Sequence, residues 1–432
     1  MIGRKSMALA IDGGTPYISE PLSRYNPIQA KEIAEANLVL ESGVLSDFLG
    51  AAGSKFLGGQ RVIDFETAAA KKFGSEYCIS FNSWTSGLMA MVGAIPGLQP
   101  GDEIITTPWT MSATATAILQ SGAIPVFADI TKESFQPTRE TILPLLNSRT
   151  KAILIVDIFG RSAEYDWLSR LCSEHGLLLL SDSAQAPGAK FKGKFITQYT
   201  DMGGYSLNYH KHIHSGEGGF ALTNSLDLAN KMRLIRNHSE SVVSADDPVE
   251  SKRILGNNFR LGEIEAAIAK PQIERIENIV EGRIRAAHEL IDGLRELPNL
   301  TVPQKLSDSS NVFYILPLIF NADGSITRDK LVEILRSEGI PGIISKYTNI
   351  HRLPIFHEAK HAPEEIYPWK LNSQSVAFET YGSGACPVAE DLYDNSFLGI
   401  HMCASEFTDS EIELVLGAFR KVWVELGWTV KN

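Results

Sequence analysis

Between residues 205 and 219 the chain reads Tyr205-Ser-Leu-Asn-Tyr-His-Lys-His-Ile-His-Ser-Gly-Glu-Gly-Gly219, an apolar strand pattern, a lysine among three histidines, and a glycine cluster before Phe220-Ala-Leu-Thr223. A lysine fixed between a strand end and a Gly-rich turn is shielded from water. It can then shed its proton and act as an amine nucleophile toward a carbonyl. Alone, Lys211 reads more simply as a solvated loop lysine, so its chemistry depends on partners. Asn82-Ser-Trp-Thr-Ser-Gly-Leu88 is a polar turn opening a helix. Its free amides, with the Thr85 and Ser86 hydroxyls, make a phosphate cradle that needs no basic residue, although Ser and Thr at helix starts are more often plain caps. Asp182, which follows four leucines and opens Asp182-Ser-Ala-Gln185, is a carboxylate at the end of a buried strand. It is costly there without a cationic partner such as a protonated pyridine nitrogen. Ser206 ends another strand close to Lys211.

The elements that must position these groups follow a rhythm. Apolar runs at 77–81, 103–106, 124–128, 152–157 and 177–181 are bounded by turn residues and separated by helical patterns at 85–95, 111–120 and 165–175. Short buried strands alternating with amphipathic helices predict an α/β fold with a mostly parallel sheet covered on both faces, whose sites lie beyond the carboxyl ends of the strands. Residues 1–30 read as an N-terminal arm and 31–275 as a large domain. Residues 276–432 read as a smaller α+β domain, with a strand at 311–320, a helix at 328–338 and a closing helix capped by Thr408-Asp-Ser-Glu411. Arg260 to Leu297 reads as one long helix kinked at Pro271.

The 432 residues suit two domains. With 44% hydrophobic and 21% charged residues the composition is that of a globular enzyme. A net charge of −11 without a Lys/Arg cluster argues against nucleic acid as a partner. Cys78, Cys172, Cys386 and Cys403 form no close pair and read as buried thiols of a reducing compartment. The N-terminus carries basic residues without the apolar core of a signal peptide, and no run reaches membrane-spanning length. A cytoplasmic enzyme is expected.

Cradle, buried acid and strand-end lysine, in that order, are the parts a pyridoxal phosphate enzyme requires. The chain resembles the DegT/DnrJ/StrS family of sugar aminotransferases from about residue 30 to the end. The family's S-F-H-x-x-K, four residues, G-E-G-G motif stands as Ser206-Leu-Asn-Tyr-His-Lys211, four residues, Gly216-Glu-Gly-Gly219. Its E-D-A-A-Q motif stands as Ser181-Asp-Ser-Ala-Gln185 and its G-x-N-x-R motif as Gly256-Asn-Asn-Phe-Arg260. The resemblance implies the type I fold of pyridoxal-phosphate-dependent transferases. It implies that Lys211 carries the cofactor as an internal aldimine and shuttles the proton, that Asp182 keeps the pyridine nitrogen protonated, and that Gln185 contacts the ring's 3′ oxygen. Thr85, Ser206 and the amides near Ser83 and Trp84 would bind the phosphate. Asn258 would reach the same phosphate from the neighbouring subunit of a homodimer. The implied reaction moves an amino group from glutamate or glutamine, in a ping-pong scheme, to a keto or aldehyde group of a sugar-like acceptor, in the first place a nucleotide-linked keto sugar.

Three positions depart from the family's pattern. Trp84 replaces a common glycine, Met111 of Thr110-Met-Ser-Ala-Thr114 replaces the ring-stacking aromatic, with Trp109 as an alternative stacker, and Asp157 replaces the histidine of a V-H pair. Other readings are a sugar dehydratase of the same fold, in which a histidine replaces the lysine, a ketocyclitol aminotransferase, and a non-catalytic regulator that keeps the fold. His210, His212, Tyr347 and His351 are candidates for substrate contact, as is the Gly50–Gly59 loop. Two metal-like patterns, His357-Glu-Ala-Lys-His361 and the alternating His210, His212 and His214, read more simply as a surface turn and as pocket walls.

Overall fold

The computed structural model describes residues 8–304 and 308–428; the basic Arg4 and Lys5 of the N-terminus lie outside the described residues. The apolar runs form β1 (Tyr77–Phe81), β2 (Glu103–Thr106), β3 (Ile124–Phe127), β4 (Thr150–Val156) and β5 (Leu178–Asp182). A small hairpin of β6 (Lys190–Phe191) and β7 (Lys194–Phe195) precedes β8 (Met202–Ser206) and β9 (Gly219–Thr223). The large sheet has the order β1-β9-β8-β5-β4-β2-β3. Its pairs are parallel except those of β9, which runs antiparallel to both β1 and β8.

Along each strand successive residues enter different cores, as a period of two requires. Ile79, Ile104, Leu154 and Leu180 pack with α3 (Trp84–Gly93), α4 (Ala113–Gln120) and α7 (Leu226–Arg236). Cys78, Ile105, Ile153 and Leu179 belong to the core that also takes in α2 (Gln60–Phe73), α5 (Arg139–Ile142), α6 (Tyr165–His175) and α8 (Glu263–Glu274). The helix expected over 31–42 is α1 (Ala30–Ser42), which ends at left-handed Gly43 and packs against α8. All four cysteines are buried and free.

A second sheet, β10 (Leu300–Thr301), β11 (Ile315–Phe320), β12 (Ile343–Ile344) and β13 (Phe397–His401), has the order β10-β11-β13-β12 and is antiparallel throughout. It shares a core with α9 (Ile276–Leu294), α10 (Arg328–Ser337) and α13 (Asp409–Glu425), the last opened by the Thr408/Glu411 capping box. The short α11 (Pro354–His361) and α12 (Pro387–Asp391) lie between α10 and α13 in the chain.

Two expected elements take a different form. The stretch from Arg260 to Leu297 is two helices, α8 and α9, and it breaks at Arg275 (φ −115°, ψ 22°), with Pro271 inside α8. Proline removes one backbone donor but need not end a helix. Here the chain turns where the Arg275 guanidinium reaches the α1 region, donating to Glu32 Oε1 (2.9 Å) and to the carbonyl of Pro27. The strand expected from Asn311 begins only at Ile315, because Phe313 is left-handed (φ 52°). Residues 312 and 314 instead donate to the Gly160 and Phe159 carbonyls just past the carboxyl end of β4.

The N-terminal segment is fastened to the second sheet's core. Leu9 and Ile18 are buried there, and the Ala10 and Tyr17 amides donate to Glu338 Oε1 and Oε2, both at 2.9 Å. Glu338 has no exposed surface and pairs with Lys421 Nζ at 2.9 Å. Lys421→Met keeps the volume but leaves that charge buried without its cation. It should lower unfolding stability by about 3 kcal/mol in a urea titration, and proteolysis should cut the N-terminal segment first.

Candidate active site

Strand register assembles the site. Asp182 stands opposite Val156 on one side and Gly204 on the other, while Ser206 and Phe81 both pair with Gly219. A Cβ at Gly219 would fall 2.6 Å from the Trp84 amide nitrogen, so only glycine lets β9 abut the first turn of α3. Ser83 caps that helix by accepting from the Ser86 amide. The Trp84 and Thr85 amides, with no carbonyl one turn back to bind, face a cradle flanked by Ser206.

Lys211 sits in the connection between β8 and β9, buried at 8% exposure. Its amide donates to the Asn208 carbonyl, and Leu207 pairs with Gly218 and Ser215 across the loop base. Three outside segments clamp the loop. The Tyr25 hydroxyl donates to the His212 carbonyl at 2.5 Å. The Gln272 side chain of α8 pairs like a peptide with both backbone groups of His214, at 3.0 and 2.8 Å. His212 Nε2 lies 2.8 Å from the Val312 carbonyl. Lys211 Nζ rests over the Tyr314 ring, 4.1 Å from its centroid. Burial pulls its pKa down to about 8 against the opposing attraction of Asp182. About a tenth is then free amine at pH 7, several hundred times the share of an ordinary lysine.

Asp182, only 4% exposed, accepts from Trp84 Nε1 at 2.8 Å on Oδ1 and from Thr114 Oγ1 at 2.7 Å on Oδ2. Gln185 Oε1 accepts from the Phe159 amide (2.8 Å), and its Nε2 donates to the Tyr347 hydroxyl (2.6 Å). Met111 is exposed, whereas Trp109 is fully buried, with Phe397 and Tyr347 around it; only the methionine is free to cover a ring. Asn258 is exposed. Its carbonyl lies 3.4 Å from its own chain's Asn82 Nδ2, and its Oδ1 accepts from Arg260 Nε.

Two of the four substrate candidates are held inside the fold. His212 has no exposed surface, and neither does His351, whose Nε2 lies 3.0 Å from Glu390. Glu390 in turn accepts from the Gly384 and Cys386 amides, so His351 secures a turn rather than meeting a ligand. His210 is half-buried beside Tyr209, Tyr314 and His401, and Tyr347 reaches Gln185. Burial first, then the neighbouring positive charge, holds His210 down at about 4. Residue 210 lies in a turn, 212 in a bend and 214 in irregular chain, none of them on a strand. The rings of His357 and His361 are 4.4 Å apart on the exposed, eight-residue α11, and no third His, Cys, Asp or Glu completes a metal set among the described residues.

Asp157, the third departure, is wholly buried behind Asp182. Its carboxylate accepts from the Ala163 amide, the Tyr165 hydroxyl and Ser183 Oγ at 2.7–2.8 Å. Burial nevertheless raises it to about 6. It ties the turn after β4 to the residue following Asp182.

Several groups here escaped the sequence reading: the Trp84 indole, Thr114, Tyr314, Tyr25 and Gln272. For Trp84 a signal existed. A Cβ at Gly204, inside a buried strand, would lie 2.4 Å from the indole, and one at Gly87 would lie 2.7 Å from it. Glycine within a strand marks such a close approach. Tyr25, Gln272 and Tyr314 act across large sequence separations and left no local trace. The cradle, the desolvated amine and the doubly hydrogen-bonded acid suit a phosphorylated aldehyde with a protonated ring nitrogen.

The comparisons agree with that chemistry. Residues 47–383 match the model of the DegT/DnrJ/EryC1/StrS aminotransferase family. The chain is 30% identical over 328 residues to the UDP-4-amino-4,6-dideoxy-N-acetyl-beta-L-altrosamine transaminase of Helicobacter pylori, covering 76% of this chain and 85% of that one. It is 32% identical over 314 residues to the UDP-N-acetyl-3-dehydro-alpha-D-glucosamine 3-aminotransferase of Acidithiobacillus ferrooxidans, covering 72% and 81%. The solved structure of Helicobacter pylori PseC, an aminotransferase involved in the biosynthesis of pseudoaminic acid, superposes with a TM-score of 0.75 at 26% identity, over 93% of this chain and all of that one.

Because the free amine is the reactive form, cofactor capture by the apoprotein should speed up as pH rises and level off with a midpoint near 8 rather than the ordinary 10.5. Borohydride trapping at a series of pH values measures this, and Lys211→Ala should abolish the trapped product.

Proposed function

The chain belongs to the DegT/DnrJ/EryC1/StrS aminotransferase family, and from that membership we propose that it moves the amino group of glutamate or glutamine to the carbonyl of a nucleotide-linked keto sugar, using pyridoxal phosphate. The observation that carries the reading is the buried Lys211 amine, with its pKa lowered to about 8, in a site shared with Asp182. When bound, pyridoxal phosphate supplies the electron sink that makes the donor's α-proton acidic. The chain supplies the rest. Lys211 Nζ would hold the cofactor and, as a free amine, would take the donor's α-proton and return a proton in the second half-reaction. A pKa near the working pH serves both directions. Asp182 would keep the ring nitrogen protonated, and the first turn of α3 with Ser206 would hold the phosphate. Gln185, steadied by Tyr347, would contact the ring oxygen, and the exposed Met111 would cover the ring. His210 and Tyr347 line the acceptor's side, and burial keeps His210 neutral and able to accept as well as donate.

The active unit is a homodimer in this reading. Support comes from α1 and the segment after it, which expose Ile33, Leu38, Leu40, Val44, Leu45 and Leu49, more apolar surface than a stretch of monomer surface normally shows. In that dimer the exposed Asn258 side chain would reach the partner's phosphate. The helix break at Arg275 supports a division between a large domain, 31–275, and a small one, 276–432. Among the described residues no helix is long and apolar enough to cross a membrane, and four free, buried thiols support a reducing, cytoplasmic setting.

Glutamate or glutamine added to the holoprotein should convert the spectrum from the pyridoxal to the pyridoxamine form. Nucleotide-linked keto sugars should then restore it while yielding an amino sugar. Loss of a hydroxyl without gain of nitrogen would assign the dehydratase reading instead, and amination of simple α-keto acids alone would remove the sugar from the proposal.

A further inference from the structure

The Trp84 indole is a large, almost wholly enclosed side chain that touches the acid of the site. It is 4% exposed, and its Nε1 donates to Asp182 Oδ1 at 2.8 Å. The position is crowded on purpose-built ground. The indole occupies the room left by missing side chains at Gly87 and Gly204, and the Trp84 backbone that left by Gly219, each with a hypothetical Cβ 2.4–2.7 Å away. An indole so enclosed cannot rotate off its acceptor. The second oxygen of Asp182 is taken by Thr114 Oγ1 at 2.7 Å, and the Ala184 amide stands 3.3 Å from Oδ1. A carboxylate offers about four lone-pair sites, so these donors orient it and still leave room for a ring N–H.

Trp84 also opens α3, and its backbone amide is one of the free donors of the phosphate cradle. One rigid residue thus touches both anchor points of the cofactor, the phosphate through its main chain and the ring nitrogen through Asp182. Resting on the cofactor reading above, we propose that Trp84 is a positioning residue. Its indole N–H fixes the Asp182 carboxylate toward the pyridine nitrogen, and its place at the head of α3 sets that acid relative to the phosphate cradle. The opposing view is that Trp84 merely fills the core formed with Leu88, Met91 and Met202.

Binding to the apoprotein separates the two without measuring turnover. Pyridoxal phosphate and an analogue with CH in place of the ring nitrogen are titrated into wild type and Trp84→Phe. The positioning role predicts that wild type prefers pyridoxal phosphate and that the variant loses about tenfold in its affinity, while the analogue binds both proteins alike. If both compounds weaken equally, or neither weakens, Trp84 is a packing residue and the proposal is wrong. Should wild type take up neither compound, the cofactor reading falls and this proposal with it. If Trp84→Phe does not fold, the benzothienyl analogue of tryptophan at position 84 retains the bicyclic shape, lacks the N–H, and is titrated with the same criteria.

Discussion

A carboxylate almost without water stands at the end of β5, and much of the site exists to make that tolerable. An isolated buried charge costs several kcal/mol, which only hydrogen bonds and an opposite charge recover. Asp182 draws its donors from three separate elements, Trp84 at the start of α3, Thr114 in α4, and Ala184 just beyond its own strand. Each donor fixes the end of one element against the same point, and so the sheet's carboxyl edge becomes a single rigid rim. The second buried acid, Asp157, solves the same problem differently. It is surrounded by Tyr165, Ser183 and the Ala163 amide and turned into the fold. One acid still faces the site, and the other is satisfied within the protein.

The amine on the opposite side is prepared by the reverse logic. Desolvation lowers the Lys211 pKa and the Asp182 charge raises it, and burial wins. The surface under Nζ is the Tyr314 ring, delivered by the second sheet's first long strand after the left-handed turn at Phe313. Both sheets therefore shape the reactive nitrogen, the large one by holding the loop and the small one by supplying the ring beneath it.

Much of this was written locally. The strands β1 to β5, the helix from Tyr165 to His175 and the capping box at Thr408 follow from periodicity and punctuation alone, because the forces that form them act within a few residues. Lys211 and Asp182 are legible as strand-end residues, the acid with a burial cost to meet, and Gln185 through the family motif that it closes. What escaped was set by tertiary contact. The break at Arg275 depends on Glu32 in a distant helix, and the truncated start of β11 depends on carbonyls at Phe159 and Gly160. The inward turn of His351 depends on Glu390, whose approach no local pattern announces. Trp84 was read only through its backbone, since nothing short of the packed sheet shows where an indole N–H will point.

The loop that carries Lys211 is held by Tyr25, Gln272 and Val312, residues 187, 58 and 100 positions away from their contacts. Contacts so far apart in sequence carry a large loop-closure cost, which the packed fold must offset. Without these clamps the lysine would lose its burial, and the amine would stay protonated at neutral pH. The lowered amine pKa is thus a property of the assembled fold, written in three remote contacts rather than in the sequence around the lysine.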